Sequence, residues 1–151
     1  MNEILKGKVK TVYDTDDAEK VLIEFHDKVT AGNGELVEYP TNKGATCALI
    51  SALLFELLEK RGIRTHYLEL PSLNKMICRK LTIVPLEVIC RNIAAGSIVK
   101  TTTLTEGTLI QPPIVEFFLK DDSKNDPLLT PDRVRLMGHD PEPLIERTKE
   151  I

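Results

Sequence analysis

Gly44-Ala45-Thr46-Cys47-Ala48-Leu49-Ile50-Ser51-Ala52-Leu53-Leu54-Phe55-Glu56-Leu57-Leu58-Glu59-Lys60-Arg61 is the longest periodic segment of the chain. Leu49, Ile50, Leu53, Leu54, Leu57 and Leu58 recur at three- and four-residue spacing, the period of an α-helix with one apolar stripe. Thr41 or Asn42 is placed to cap its start, Lys60 and Arg61 suit its negative end, and Gly62 terminates it. The segment therefore reads as a helix that packs its leucine stripe into a core and needs no ligand.

On either side of this helix the pattern is β. Lys8–Tyr13 and Val21–Phe25 are short apolar-rich runs separated by the turn-forming Asp14-Thr15-Asp16-Asp17. Alternation within the first run puts Lys8, Lys10 and Val12 on one face. Thr30-Ala31-Gly32-Asn33-Gly34 reads as a loop. Beyond the helix, His66–Leu70, Lys75–Leu81 and Leu86–Arg91 are strand-like, with Pro71 and Pro85 breaking between them. Ser97–Thr103 is expected as another strand and Ile114–Leu119 as a further one, with Pro112-Pro113 imposing extended backbone ahead of it. Residues 132–138 suit a short helix after Pro131, and Asp140 suits the cap of a helix opening at Pro141. Leu144, Ile145 and Thr148 begin a stripe there that stops with Ile151, so the chain is expected to end inside an element.

The chain has 151 residues, an apolar fraction of 42% and a charged fraction of 28%, the composition of a globular protein. No apolar run approaches the ~20 residues of a membrane-spanning helix, and the first residues lack the basic flank and apolar core of a signal peptide. Cys47, Cys78 and Cys90 are odd in number and form no Cys-x-x-Cys pair. They are expected as reduced packing thiols of a cytoplasmic protein, neither zinc ligands nor a disulfide framework. His26, His66 and His139 share no ligand spacing and are expected as structural.

A formal net charge of −3 makes nucleic acid a poor partner. The charge is unevenly placed. Residues 76–101 carry Arg79, Lys80, Arg91 and Lys100 against Glu87, whereas residues 116–132 carry Glu116, Asp121, Asp122, Asp126 and Asp132 against Lys120 and Lys124. Such a basic stretch suits a small anion and such an acidic one a cation; solvated charged loops would look the same by counting.

Two segments bear on chemistry. In Gly7-Lys8-Val9-Lys10 a glycine lets backbone approach a phosphate and the lysines neutralise it, although an exposed edge strand with lysines has the same pattern. In Arg91-Asn92-Ile93-Ala94-Ala95-Gly96-Ser97 an arginine leaves an apolar strand beside a small-residue turn whose N–H groups and hydroxyl can cradle a phosphate; a tight turn with a surface arginine is the plain alternative.

Gly7–Tyr13, Ala31–Gly34, Asn42–Gly44, Val84–Ser97, Pro112–Lys120 and Asp126-Pro127, in this order, resemble the phosphoribosylaminoimidazole-succinocarboxamide synthase (SAICAR synthetase) family, over essentially the whole chain. The resemblance implies an α+β fold. An antiparallel N-terminal sheet with a packed helix, a lobe of the kinase and ATP-grasp kind over residues 1–81, would precede the start of a second, substrate-binding lobe over 82–151, with ATP in the cleft between them. It implies an ATP- and Mg2+-dependent ligase of purine biosynthesis that joins carboxyaminoimidazole ribonucleotide to L-aspartate, and a homo-oligomer.

By the same resemblance Lys8 and Lys10 lie over the ATP phosphates and Val12 and Val21 against the adenine. Backbone of Arg79, Lys80 and Leu81 bonds the adenine edge, with Ile83 beneath it. Arg91 and Ser97 hold the ribonucleotide 5′-phosphate, and Lys120 and Asp126 stand on the aspartate side. Asn33 occupies a place where many members carry aspartate. The family's Asp-x-Lys-x-Glu-Phe-Gly and Asp-Glu-x-Ser-Pro-Asp motifs, expected to supply the metal carboxylates and a catalytic lysine, would lie beyond Ile151, leaving no metal ligand in this chain. A non-catalytic nucleotide- or phosphate-binding module is the competing expectation, and a chain that covers an exposed apolar face by self-association a third.

Overall fold

The structure, a computed structural model, describes residues 1–31 and 36–151. It divides into two compact units, Met1–Thr82 and Ile83–Ile151.

The first unit is an antiparallel sheet with one helix. Its strands are β1 (Glu3–Lys6), β2 (Lys10–Asp14), β3 (Lys20–Phe25), β6 (Tyr67–Ser72) and β7 (Lys75–Arg79), in the order β1-β2-β3-β7-β6. A separate two-stranded antiparallel sheet pairs β4 (Val29–Ala31) with β5 (Leu36–Glu38), so Thr30 and Ala31, expected in a loop, are strand. The remainder of that expected loop, Asn33 included, lies outside the described residues. Lys8 is also displaced from its expected strand: the Gly7 N–H donates to the Lys10 carbonyl at 2.8 Å, closing a turn with Lys8 at its tip.

Register decides which side of the sheet is apolar. Val12 opposes Ile23, Val21 opposes Cys78 and Ile23 opposes Met76, so these alternate residues share a face. Against that face lies α1 (Lys43–Lys60), and Val21, Phe25, Ala48, Ala52, Tyr67, Met76 and Cys78 form the buried core. Here the expected orientation of the helix is reversed. Gly44, Ala48 and Ala52 are its buried residues, whereas Leu49, Ile50, Leu53, Leu54 and Leu57 are each about half exposed. At Gly44 the reason is closeness: a Cβ there would stand 2.6 Å from the Phe25 carbonyl oxygen, so no side chain fits, while further along α1 Ala48 and Ala52 are buried and Cys47 and Phe55 pack against the core.

The start of α1 is also capped differently from expectation. Asn42 takes left-handed φ of 63° and its side chain caps nothing. Asp27 replaces it from a distance, its carboxylate accepting the N–H groups of Asn42 at 3.1 Å and Gly44 at 2.7 Å. The far end follows expectation, with Gly62 at φ 81° and the Ile63 N–H returning to the Leu58 carbonyl. Pro71 does not separate two strands; it sits within β6, which tolerates it as an edge strand.

The second unit is built on a long antiparallel pair, β8 (Leu86–Ile93) and β9 (Leu109–Leu119), with β10 (Leu128–Leu129) beside β9. Pro112 and Pro113 lie inside β9, where the pairing with β8 is irregular between Arg91 and Ile93. Ser97–Thr103 is not a strand. Ser97–Thr101 forms α2, in which the Thr101 and Thr102 hydroxyls donate to the Ser97 and Ile98 carbonyls at 3.0 and 2.6 Å while Ile98 is buried. Two helices follow, α3 (Pro131–Leu136) and α4 (Pro141–Glu150), the latter capped by Asp140 as expected and packed against β8 and β9. Thr130 caps α3, accepting the Arg133 N–H. Phe117 and Val134 are fully buried within this unit.

Candidate functional site

One polar arrangement of the second unit is centred on Arg91. Pairing Arg91 with Ile114 and Ile89 with Glu116 places Arg91 and Glu116 diagonally on one face of the β8–β9 ladder. The Arg91 Nε donates to Glu116, its Nη1 to the Ala95 carbonyl at 3.2 Å and its Nη2 to the Ser97 Oγ at 2.8 Å. The chain can return so soon because Gly96 adopts φ 66°, ψ −128°. Arg91 and Ser97, the pair expected at a phosphate, are therefore in direct contact. Glu116, which sequence reasoning counted only as part of an acidic stretch, is joined to them.

In the acidic loop Asp121 and Asp126 are held by neighbouring residues. Lys120 pairs with Asp126 at 2.5 Å, and the other Asp126 oxygen accepts the Asp121 N–H at 2.8 Å. Asp121 accepts from the Ser123 N–H and hydroxyl and pairs with Lys124 at 2.8 Å. The Lys124 and Ser123 bonds hold the Asp121 carboxyl down at about 2, and Lys120 likewise lowers that of Asp126. Asn125 and Asp126 take positive φ of 57° and 43° to bring this about. Among the described residues no group of three or more His, Cys, Asp or Glu side chains is placed to hold a metal ion.

In the first unit Lys10, Val12 and Val21 share the α1-facing side of the sheet. The Lys10 Nζ stands 4.5 Å from the centroid of the Phe25 ring, a cation–π contact that fixes its direction. Its charge adds to burial in lowering the pKa of His66. Lys8 is exposed at the β1–β2 turn, Val12 is half-buried and Val21 is in the core. Arg79 ends β7 and donates to the Thr65 carbonyl at 2.7 Å, and the Lys80 N–H bonds the Glu19 carbonyl at 2.8 Å. Leu81 and Ile83 are exposed, and Ile83 opens the second unit. An open cavity of about 400 Å3 lies near the Asp27 cap, lined by Glu24, His26, Asn42, Asn74 and neighbours; none of the expected ATP- or ribonucleotide-binding residues lines it.

Each arrangement has a definite chemistry. A guanidinium and a hydroxyl fixed at a small-residue turn suit a phosphate monoester, and lysines at a glycine hairpin suit a polyphosphate.

Comparison with known proteins gives these arrangements a setting. The sequence profile of the SAICAR synthetase family matches residues 3–151. The phosphoribosylaminoimidazole-succinocarboxamide synthase of Methanobrevibacter smithii is 45% identical over 135 residues, covering 89% of this chain and 56% of that protein. The synthase of Synechocystis sp. is 42% identical over 151 residues, covering all of this chain and 57% of its own length. The chain thus spans a little over half of these relatives. A solved SAICAR synthetase (Type-2) in complex with ADP superposes with a TM-score of 0.88 at 36% identity, covering 98% of this chain and 63% of that one. With the antiparallel sheet, the packed helix and the β8–β9 ladder all within the matched span, this α+β chain belongs to the SAICAR synthetase family.

Proposed function

We propose that the protein acts as an ATP-dependent ligase, joining carboxyaminoimidazole ribonucleotide to L-aspartate in purine biosynthesis and releasing SAICAR, ADP and phosphate. The observation that carries this reading is the Arg91–Ser97 contact at its small-residue turn, in a chain of this family. In the proposal Arg91 and Ser97 bind the 5′-phosphate of the ribonucleotide. Lys8 and Lys10 neutralise the ATP phosphates, Val12, Val21 and Ile83 contact adenine, and the backbone of Arg79, Lys80 and Leu81 bonds its edge. Lys120 and Asp126 serve the aspartate side.

ATP phosphorylates the ribonucleotide carboxylate, and the amine of aspartate then displaces phosphate from that acyl carbon, forming the amide. Positioned cations lower the barrier by stabilising charge on the transferring group. Magnesium would accompany ATP, but Asp121 and Asp126 do not fit it, since their oxygens are already taken by Lys124, Lys120 and N–H or O–H donors. No step is therefore assigned to a metal held by this chain. A cytoplasmic location and self-association complete the proposal; the exposed leucine side of α1 supports the second.

The test is product formation from ATP, L-aspartate and carboxyaminoimidazole ribonucleotide, followed by chromatography of SAICAR and ADP. Equal amounts of both products are expected. Retained ATP binding without SAICAR would favour a second reading, a non-catalytic nucleotide- or phosphate-binding module.

A further inference from the structure

Arg91 is engaged by this chain on both edges of its guanidinium. Glu116 takes Nε, the Ala95 carbonyl takes one N–H of Nη1, and the Ser97 hydroxyl oxygen takes one N–H of Nη2. A guanidinium carries five N–H donors, so one N–H on each terminal nitrogen is left by these bonds. The Ser97 oxygen accepts from Arg91, which leaves its own proton to be donated elsewhere. The arginine and glutamate side chains are only 11% and 19% exposed, so water competes weakly for their contact.

We infer that Glu116 is a positioning residue for phosphate recognition. By occupying the Nε edge it fixes the rotation of the guanidinium, so that the two terminal nitrogens and the Ser97 hydroxyl are presented together to a phosphate monoester. Glu116 itself stays off the phosphate, which its like charge would repel. An arginine lacking this partner keeps its charge and its strand position but loses a fixed orientation, and a planar fork binds an anion well only when it is aimed. The inference rests on the phosphate reading of Arg91 and Ser97 given above.

The test separates the two ideas. Isothermal titration calorimetry on the protein gives affinities for carboxyaminoimidazole ribonucleotide and for the matching nucleoside without phosphate. The ratio of the two measures phosphate recognition alone. In Glu116→Ala the ratio is expected to fall about tenfold with nucleoside affinity unchanged. In Glu116→Gln, whose amide oxygen still accepts from Nε, a loss of about threefold is expected. An unchanged ratio in both variants, with Arg91→Ala lowering it, overturns the positioning role and leaves the phosphate reading standing. An unchanged ratio in Arg91→Ala overturns both. Equal losses for ribonucleotide and nucleoside mark a merely structural role and overturn the inference too. Should Glu116→Ala fail to fold, the ratio in Glu116→Gln decides.

Discussion

Asp27 Oδ1 accepts the Gly44 N–H at 2.7 Å, tying the first turn of α1 to the chain that follows β3. The other oxygen accepts from Asn42. Two donors that a helix start would otherwise leave unsatisfied are thus met by one carboxylate, 15 residues before Asn42 and 17 before Gly44. Asp27→Ala is expected to cost about 1–2 kcal/mol of stability, the range of a lost helix cap. Asp27→Asn, which keeps one acceptor, is expected to cost less. Urea denaturation of the two variants checks both values, and equal losses would count against the cap.

The two sides of α1 are expected to answer substitution in opposite ways. Ala48 is fully buried, so Ala48→Leu must push helix from sheet, at about 1–3 kcal/mol. Gly44→Ala meets the Phe25 carbonyl and is expected to destabilise similarly. Leu53, 57% exposed, is expected to accept Gln within about 0.5 kcal/mol. Denaturation midpoints measure the contrast, and light scattering of Leu53→Gln reports whether this side also mediates self-association.

Lys10 and Arg91 are proposed to serve different ligands. Lys10→Ala is expected to weaken ATP about tenfold, roughly 1.4 kcal/mol, and to leave the ribonucleotide unaffected. Arg91→Ala is expected to do the reverse. Calorimetric titrations of each variant with each ligand check the pattern, and a crossed result would mean the two assignments are exchanged.

Burial pushes the Cys78 thiol up to about 11, with the Lys10 charge acting in the opposite direction. The fold thus favours the protonated thiol. Its contribution to stability is complete below the unfolded value near 9 and is lost as pH rises from about 9 to 11. At pH 8 iodoacetamide is expected to leave Cys78 unmodified in the folded protein and to alkylate it in urea, with peptide mass spectrometry as the readout.

The leucine period announces α1, yet period alone cannot say which side meets the sheet. Gly44, Ala48 and Ala52 also repeat every four residues and take the inner side, with Gly44 so near the Phe25 carbonyl that a Cβ there would stand 2.6 Å from it. Ser97–Thr103 misleads because β-branched residues favour strands, whereas the hydroxyls of Thr101 and Thr102 bond back to carbonyls four residues earlier in a short helix. The strands β3, β7 and β8 are legible because apolar runs end at turn residues or proline. Arg91 and Ser97 are legible as a motif within one short segment. Glu116 is not, since its contact spans 25 residues and depends on the register of β8 with β9.

Turning its leucines outward gives α1 a second physical consequence. Burial of Leu49, Ile50, Leu53, Leu54 and Leu57 is not what holds the helix down, so these side chains govern solubility more than folding. The formal charge of −3 supplies little colloidal repulsion to offset them. Salts that strengthen apolar association, such as sulfate, are expected to act on this strip together with the other exposed apolar side chains, among them Leu73, Ile83 and Leu136.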